Sequence, residues 1–234
     1  MPKRKSKSTR RRSSTRTRLV VAAPIRVVAR PALDLSRALS PHFSLKEMVR
    51  SATAERDEVL KREQERPSDA VVECLQYLVT AALEPMRLGI ATPVHVTSGY
   101  RCEKVNTLVG GSATSQHCRG EAADCELSSG FLNDAATAAT RLAIRNAVEQ
   151  RTGRQLRPDV DQNFYLFAHV CLHLEELDVD QVIHEYGDDY GRPAWVHVAA
   201  SRRQDKRQIL FIGSYTNRQY LVTSVDEALA RCCA

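Results

Sequence analysis

The run Gly110-Gly111-Ser112-Ala113-Thr114-Ser115-Gln116-His117-Cys118-Arg119-Gly120-Glu121-Ala122-Ala123-Asp124 constrains the fold of this chain more than any other stretch. It sets a His and an Asp on one segment, between glycines and small residues. Far along the chain, Trp195-Val196-His197-Val198 places another His in an apolar, strand-like run. A fold that uses these residues together must bring a loop and two strands to one point. Two imidazoles and one carboxylate form a three-ligand zinc set with a fourth position open, the arrangement of a catalytic site. Alone, a His in an apolar strand is usually a packed core residue, so the case for His197 rests on its company.

The net charge of +6 is unevenly placed. Eleven of the 34 Lys and Arg fall within residues 1–30, where there is no acid, so the remainder nets −5. Residues 1–18 are Lys, Arg, Ser and Thr almost throughout, too polar to bury a core. Three uses compete for them. They suit nucleic-acid phosphates, with Arg10, Arg11 and Arg12 as the candidate contacts. They suit docking on an acidic surface, such as neighbouring subunits of a virion. They also have the Arg- and Ser-rich, acid-poor composition of an organelle presequence. The first two are preferred. Leu19 to Ala23 is too short, and closed too soon by Pro24, to be a secretion signal. The expected location is therefore cytoplasmic or virion-associated, with an organelle as the alternative. No apolar run reaches the length of a membrane span.

The tail and a Pro-punctuated linker occupy residues 1–41, a folded domain 42–201, and a C-terminal extension 202–234. Seven cysteines without a CxxC pair argue against a cysteine-rich zinc site and read as free, mostly buried thiols. Cys118, beside His117, is the one candidate for an extra ligand.

Ser44 and Glu47 have capping-box spacing and predict a short helix from Leu45 to about Ser51. Residues 55–66 are charged enough for an exposed helix or loop. Pro67-Ser68 opens the clearest helix, with Val71, Val72, Leu75, Leu78, Val79, Ala82 and Leu83 at helical steps and Gly89 as its stop. Residues 94–98 and 122–127 read as strands. Asn133-Asp134 caps a helix over 135–150, with Leu142, Ala143 and Val148 facing inward. A helix over 164–176, strands at 180–185 and 194–199, a hairpin at 209–212 and 220–222, and a closing helix at 225–233 complete the set. Helices on a small, mainly antiparallel sheet make an α+β fold.

Several short motifs then fall in one order. They are Phe43-Ser44-Leu45, Leu83-Glu84-Pro85-Met86-Arg87, Thr97-Ser98-Gly99-Tyr100-Arg101-Cys102 with Val105-Asn106, and Ser115-Gln116-His117-Cys118-Arg119-Gly120 running to Asp124. Asp180-Gln181-Val182-Ile183-His184-Glu185 and Trp195-Val196-His197-Val198 close the series. Between His42 and Ala199 the chain thus resembles the D-Ala-D-Ala carboxypeptidase / L-Ala-D-Glu endopeptidase zinc family, cell-wall peptidases of hedgehog-like fold. Within it, the Trp-Val-His-Val ending resembles the phage and prophage branch.

That resemblance implies Zn2+ held by His117, Asp124 and His197, and Arg101 holding the substrate carbonyl or its oxyanion. Ser115 and Gln116 would contact substrate. The best-known members carry a carboxylate three residues before the last His, which here is Ala194. The branch with this ending instead has a Glu on the preceding strand, so Glu185 is the expected base, with Asp180, Asp188 and Asp189 in reserve. His95, His169 and His173 read as core or surface residues, and His184 as close enough to support a ligand. The implied activity is zinc-dependent hydrolysis of D-amino-acid bonds in peptidoglycan stem peptides by metal-activated water. The alternative is a virion-associated structural or interaction protein that keeps the fold and meets nucleic acid or other subunits through its tail.

Overall fold

The structure is a computed structural model in which residues 33–187, 189–203, 205–213 and 220–234 are described. Arg10, Arg11, Arg12 and Asp188 lie outside the described residues.

Ser44 Oγ accepts the Glu47 N–H at 3.2 Å and starts helix α1 (Leu45–Val49), satisfying a donor that has no partner within the helix. Residues 33–41 lie along it. Leu45 and Lys46 donate to the carbonyls of Arg37 and Leu35, both at 2.9 Å, and Leu39 is buried. The charged stretch that follows forms α2 (Glu58–Gln64), which is capped by Asp57 and buries Leu60 and Gln64.

Helix α3 (Asp69–Leu78) begins at the Ser68 cap. The sequence predicts one helix from here to Gly89, but a π-helical turn at Val79–Leu83 separates α3 from α4 (Glu84–Ile90). Pro85 supplies the reason. It has no N–H for the Ala81 carbonyl, and in a regular helix its ring would strike that carbonyl, so the ladder widens just before it.

The stop also differs from expectation: Ala91, with φ 56°, ends α4 in the left-handed conformation, and Gly89 lies inside the helix. A Cβ at Gly89 would sit 2.6 Å from Nε2 of His169, a buried ring on a neighbouring helix. Gly89→Ala is therefore expected to destabilise the fold by about 1–2 kcal/mol through overpacking, even though Ala is the better helix former. Thermal denaturation would show this as a drop of roughly 2–4 °C per kcal/mol. His169→Ala in the same chain should restore most of it, and an unchanged midpoint for Gly89→Ala would overturn the account.

The remaining elements are β1 (Val94–Ser98), α5 (Glu103–Leu108), β2 (Ala122–Leu127), α6 (Ala138–Thr152), α7 (Gln162–Leu172), β3 (Gln181–Glu185), β4 (Trp195–Ala199), β5 (Gln208–Ile212), β6 (Tyr220–Thr223) and α8 (Val225–Ala230). A 3-10 turn at Ala135–Thr137 precedes α6. Ile144 and Val148, four residues apart, share the inward face, while Leu142 and Ala143 are exposed, against expectation, because they do not lie on one helical face with Val148.

The six strands form one sheet in the order β1-β2-β4-β3-β5-β6. All neighbours are antiparallel except β3 and β5, which run parallel. The expected α+β architecture is the one observed.

Alternation along the strands gives the sheet two different faces. On one, Val182, Val196, Val198, Ile209 and Phe211 join the main core with Phe164, Leu166 and Phe167 of α7. That helix is buried nearly all round and starts where Asp161 Oδ1 accepts the Phe164 N–H at 2.8 Å. On the other face, partners in register form two rows: Asp124, His197, Ile183 and Leu210 in one, and Trp195, Glu185, Ile212 and Tyr220 in the next. Among the described residues no helix is long and apolar enough to cross a membrane.

Candidate metal centre and cleft

Asp124 and His197 are direct partners between β2 and β4, so pairing two central strands brings a carboxylate and an imidazole together. His117 arrives from a 3-10 turn, Gln116–Arg119, that ends at Gly120 with φ +71°. A Cβ at Gly120 would meet Val71 O at 2.7 Å, so both the positive φ and the close approach call for glycine there.

The three side chains meet at one point. His117 Nε2 lies 3.2 Å from His197 Nδ1 and 3.2 Å from Asp124 Oδ1, and His197 Nδ1 lies 3.1 Å from the same oxygen. All three residues are buried. His117 Nδ1 is 2.7 Å from the Gly99 carbonyl and must donate to it, which leaves a lone pair on Nε2 facing the cluster. Among the described residues His197 Nε2 has no hydrogen-bond partner, and the ring meets the cluster through Nδ1.

Three lone-pair atoms converging from one carboxylate and two imidazoles form a set that a cation can bridge. A tetrahedral ion with bonds of about 2.0–2.1 Å needs ligand atoms about 3.3 Å apart, close to the spacing found. The residues present fit zinc. Among the described residues this is the one such group, and Cys118 is not part of it. Burial pushes the Asp124 carboxyl up, but the His117 and His197 imidazoles outweigh it and hold the group well below the ordinary carboxylate value.

Arg101 and Glu185 border the cluster. Arg101 Nε donates to Ser98 Oγ at 2.8 Å, and its Nη2 donates to Asp124 Oδ2 and lies 3.0 Å from His117 Nε2. Its guanidinium thus supplies counter-charge to the cluster from the cleft wall. Glu185 is level with Trp195 in the neighbouring strand, and the Trp195 indole donates to Glu185 Oε2 at 2.9 Å. The other oxygen, Oε1, points to the cluster, 4.0 Å from His197 Nδ1. Burial raises the Glu185 carboxyl above its ordinary value, against the lowering effect of His197.

These groups open into a cleft of about 970 Å³ that Ser115, Gln116 and Arg101 also line. The Gln116 amide is held at 2.9 Å by Asp180 Oδ2, which makes Asp180 an anchor for the His117 loop. Asp189 is paired with Arg157, which holds its carboxyl down at about 2. His184 projects to the opposite face, packed on Phe167 and Phe211, with Nε2 donating to the Tyr190 carbonyl at 2.9 Å. It supports the core and no ligand, because its neighbours Ile183 and Glu185 take the site face. Two contributors were not visible as such in the sequence. Trp195 as partner of Glu185, and Asp180 as partner of Gln116, depend on strand register and on a contact between distant loops.

Residues 41–155 match the family model described as Peptidase M15. No curated protein matches the chain. The matched stretch contains Arg101, His117 and Asp124, and supports an M15 metallopeptidase, a zinc-dependent class. His197 and Glu185 lie beyond it, and the sheet carries them to the same cleft.

Proposed function

We propose that the chain is a zinc peptidase that hydrolyses D-amino-acid-containing bonds in peptidoglycan stem peptides. The observation that carries this reading is the placement of Glu185 beside the three-donor cluster. One carboxylate oxygen is fixed by Trp195 and the other is turned to the donors. A fold kept only as a virion-associated scaffold has no need of a buried carboxylate there.

Bound by His117 Nε2, Asp124 Oδ1 and His197 Nδ1, zinc would acidify water and polarise the scissile carbonyl. The chain's own residues do the rest. The Gly99 carbonyl fixes the His117 tautomer. Glu185 Oε1 takes the proton of the attacking water and passes it to the leaving amine, with Oε2 held still by the indole. Arg101, steadied by Ser98, meets the charge that develops on the carbonyl oxygen. Ser115 and Gln116 shape the wall along which the peptide lies.

The test is digestion of purified peptidoglycan and of a synthetic stem pentapeptide, followed by mass spectrometry. Zinc-loaded protein should release defined fragments, and chelator-treated protein none. Protein shown to hold zinc that leaves both substrates intact would overturn the reading.

A further inference from the structure

β5, β6 and the loop at residues 205–207 lie beyond the stretch that matches the peptidase family, yet they complete the cleft: Lys206, Leu210, Ile212 and Tyr220 line it. The register fixes where each one stands. Leu210 is opposite Ile183 and Ile212 opposite Glu185, so β5 continues the surface that carries His197 and Glu185. Ile183, Leu210 and Ile212 form a buried apolar cluster, with Tyr186 packed on it. Lys206 stands at the other end of the cleft, just before Gln208, whose partner in β3 is Gln181.

The position of Lys206 is fixed by a buried group. Asp180, 2% exposed, accepts the Lys206 backbone N–H on Oδ1 at 2.7 Å while holding the Gln116 amide on Oδ2. One carboxylate therefore ties the 205–207 loop to the loop that carries His117. The other cations of the lining are committed. Arg101 is engaged with Asp124 and Ser98, and Arg119 with Glu121 and the Thr114 carbonyl. Among the described residues no carboxylate pairs with the Lys206 ammonium.

We propose that Lys206 recognises a carboxylate of the substrate peptide, at a subsite that the C-terminal strands add to the cleft. The inference rests on the peptidase reading for the class of ligand. Leu210 is level with Ile183 and His197, and Lys206 precedes it by four residues, at most about 13 Å of extended chain. An extended peptide covers that distance in about four residues, which places the recognised carboxylate within about four residues of the scissile bond. Stem peptides carry such carboxylates, on the γ-linked D-Glu and at the C-terminus.

The experiment measures binding, so that it stands apart from cleavage. The full chain is prepared zinc-loaded with Glu185→Gln, alone and combined with Lys206→Gln or Lys206→Arg. Each form is titrated with acetyl-L-Ala-γ-D-Glu-L-Lys-D-Ala-D-Ala and with versions in which one carboxylate at a time is a carboxamide. One of the amidations should weaken binding to the parent about 10-fold, the size expected of a charge-assisted contact. That same amidation should have under a twofold effect in the Lys206→Gln form, and Lys206→Arg should retain the discrimination. Equal binding of all peptides by the parent, discrimination that survives Lys206→Gln, or no binding at all would each overturn the proposal. Failure of the peptidase reading looks different: the chain with Glu185 intact would bind the peptide and leave it whole.

Discussion

Glu185→Gln is expected to lower peptide hydrolysis by about 10²–10⁴-fold, the range for loss of a general base, while zinc content stays at about one per chain. The substitution keeps the shape of the side chain. Its carbonyl oxygen can accept the Trp195 indole as Glu185 Oε2 does at 2.9 Å, which leaves an amide where Oε1 faced the donors. An amide cannot take the proton. The fold gives a second readout in the zinc-free chain. Burial raises the Glu185 pKa in the folded state, so any stability this group contributes is present at low pH and is lost as pH rises through the folded value. At neutral pH the ionised carboxylate works against the fold, and glutamine removes that penalty. The zinc-free variant should therefore melt at or above the wild-type temperature. Activity within twofold of wild type would remove Glu185 as the base. A lower melting point with lost zinc would show a structural role instead.

The sequence read local structure well where local chemistry decides it. Ser44, Ser68 and Asp134 each cap a helix with their own side chain, and the alternating runs around His95 and Asp124 became strands with the expected bounds. It read less well where the outcome depends on distant neighbours. Gly89 has the composition of a helix stop, but its purpose is to let His169 approach, which only tertiary packing reveals. Pro85 was visible, yet its effect is displaced into the preceding turn.

The metal set was legible because its three residue types sit in motifs, although their convergence needed the pairing of β2 with β4. Glu185 could be named from a family pattern but not placed. What aims it is the register that sets it level with Trp195, and a slip of one residue would turn it into the core where His184 now lies. The role of β5 was hidden for a related reason. Two adjacent apolar runs suggest a hairpin, and β5 and β6 do pair antiparallel, but nothing in the runs themselves shows that β5 also pairs in parallel with β3 and so becomes part of the cleft.

Each of His117→Ala, Asp124→Ala and His197→Ala should reduce bound zinc from about one per chain to less than about a tenth, because a three-ligand site has no spare donor. The geometry makes the three losses unequal in their effect on the fold. His117→Ala removes the ring that the Gly99 carbonyl fixes, so that carbonyl loses its 2.7 Å partner. Asp124→Ala removes the only anion of the set and leaves the Arg101 guanidinium, whose side chain is 16% exposed, without its carboxylate. An unpaired, largely buried charge costs several kcal/mol, so this variant should be the least stable. Added zinc separates metal loss from general damage. At about 100 times its dissociation constant, a ligand that binds only the folded chain stabilises it by about 2.7 kcal/mol. For a chain of this size that is a rise in melting temperature of roughly 5–10 °C. Zinc-free wild type and Glu185→Gln should both show that rise, and the three ligand variants should not, even where the variant is folded. Zinc content unchanged in all three would remove the metal assignment, and with it the basis for placing Glu185 and Arg101 in a peptidase.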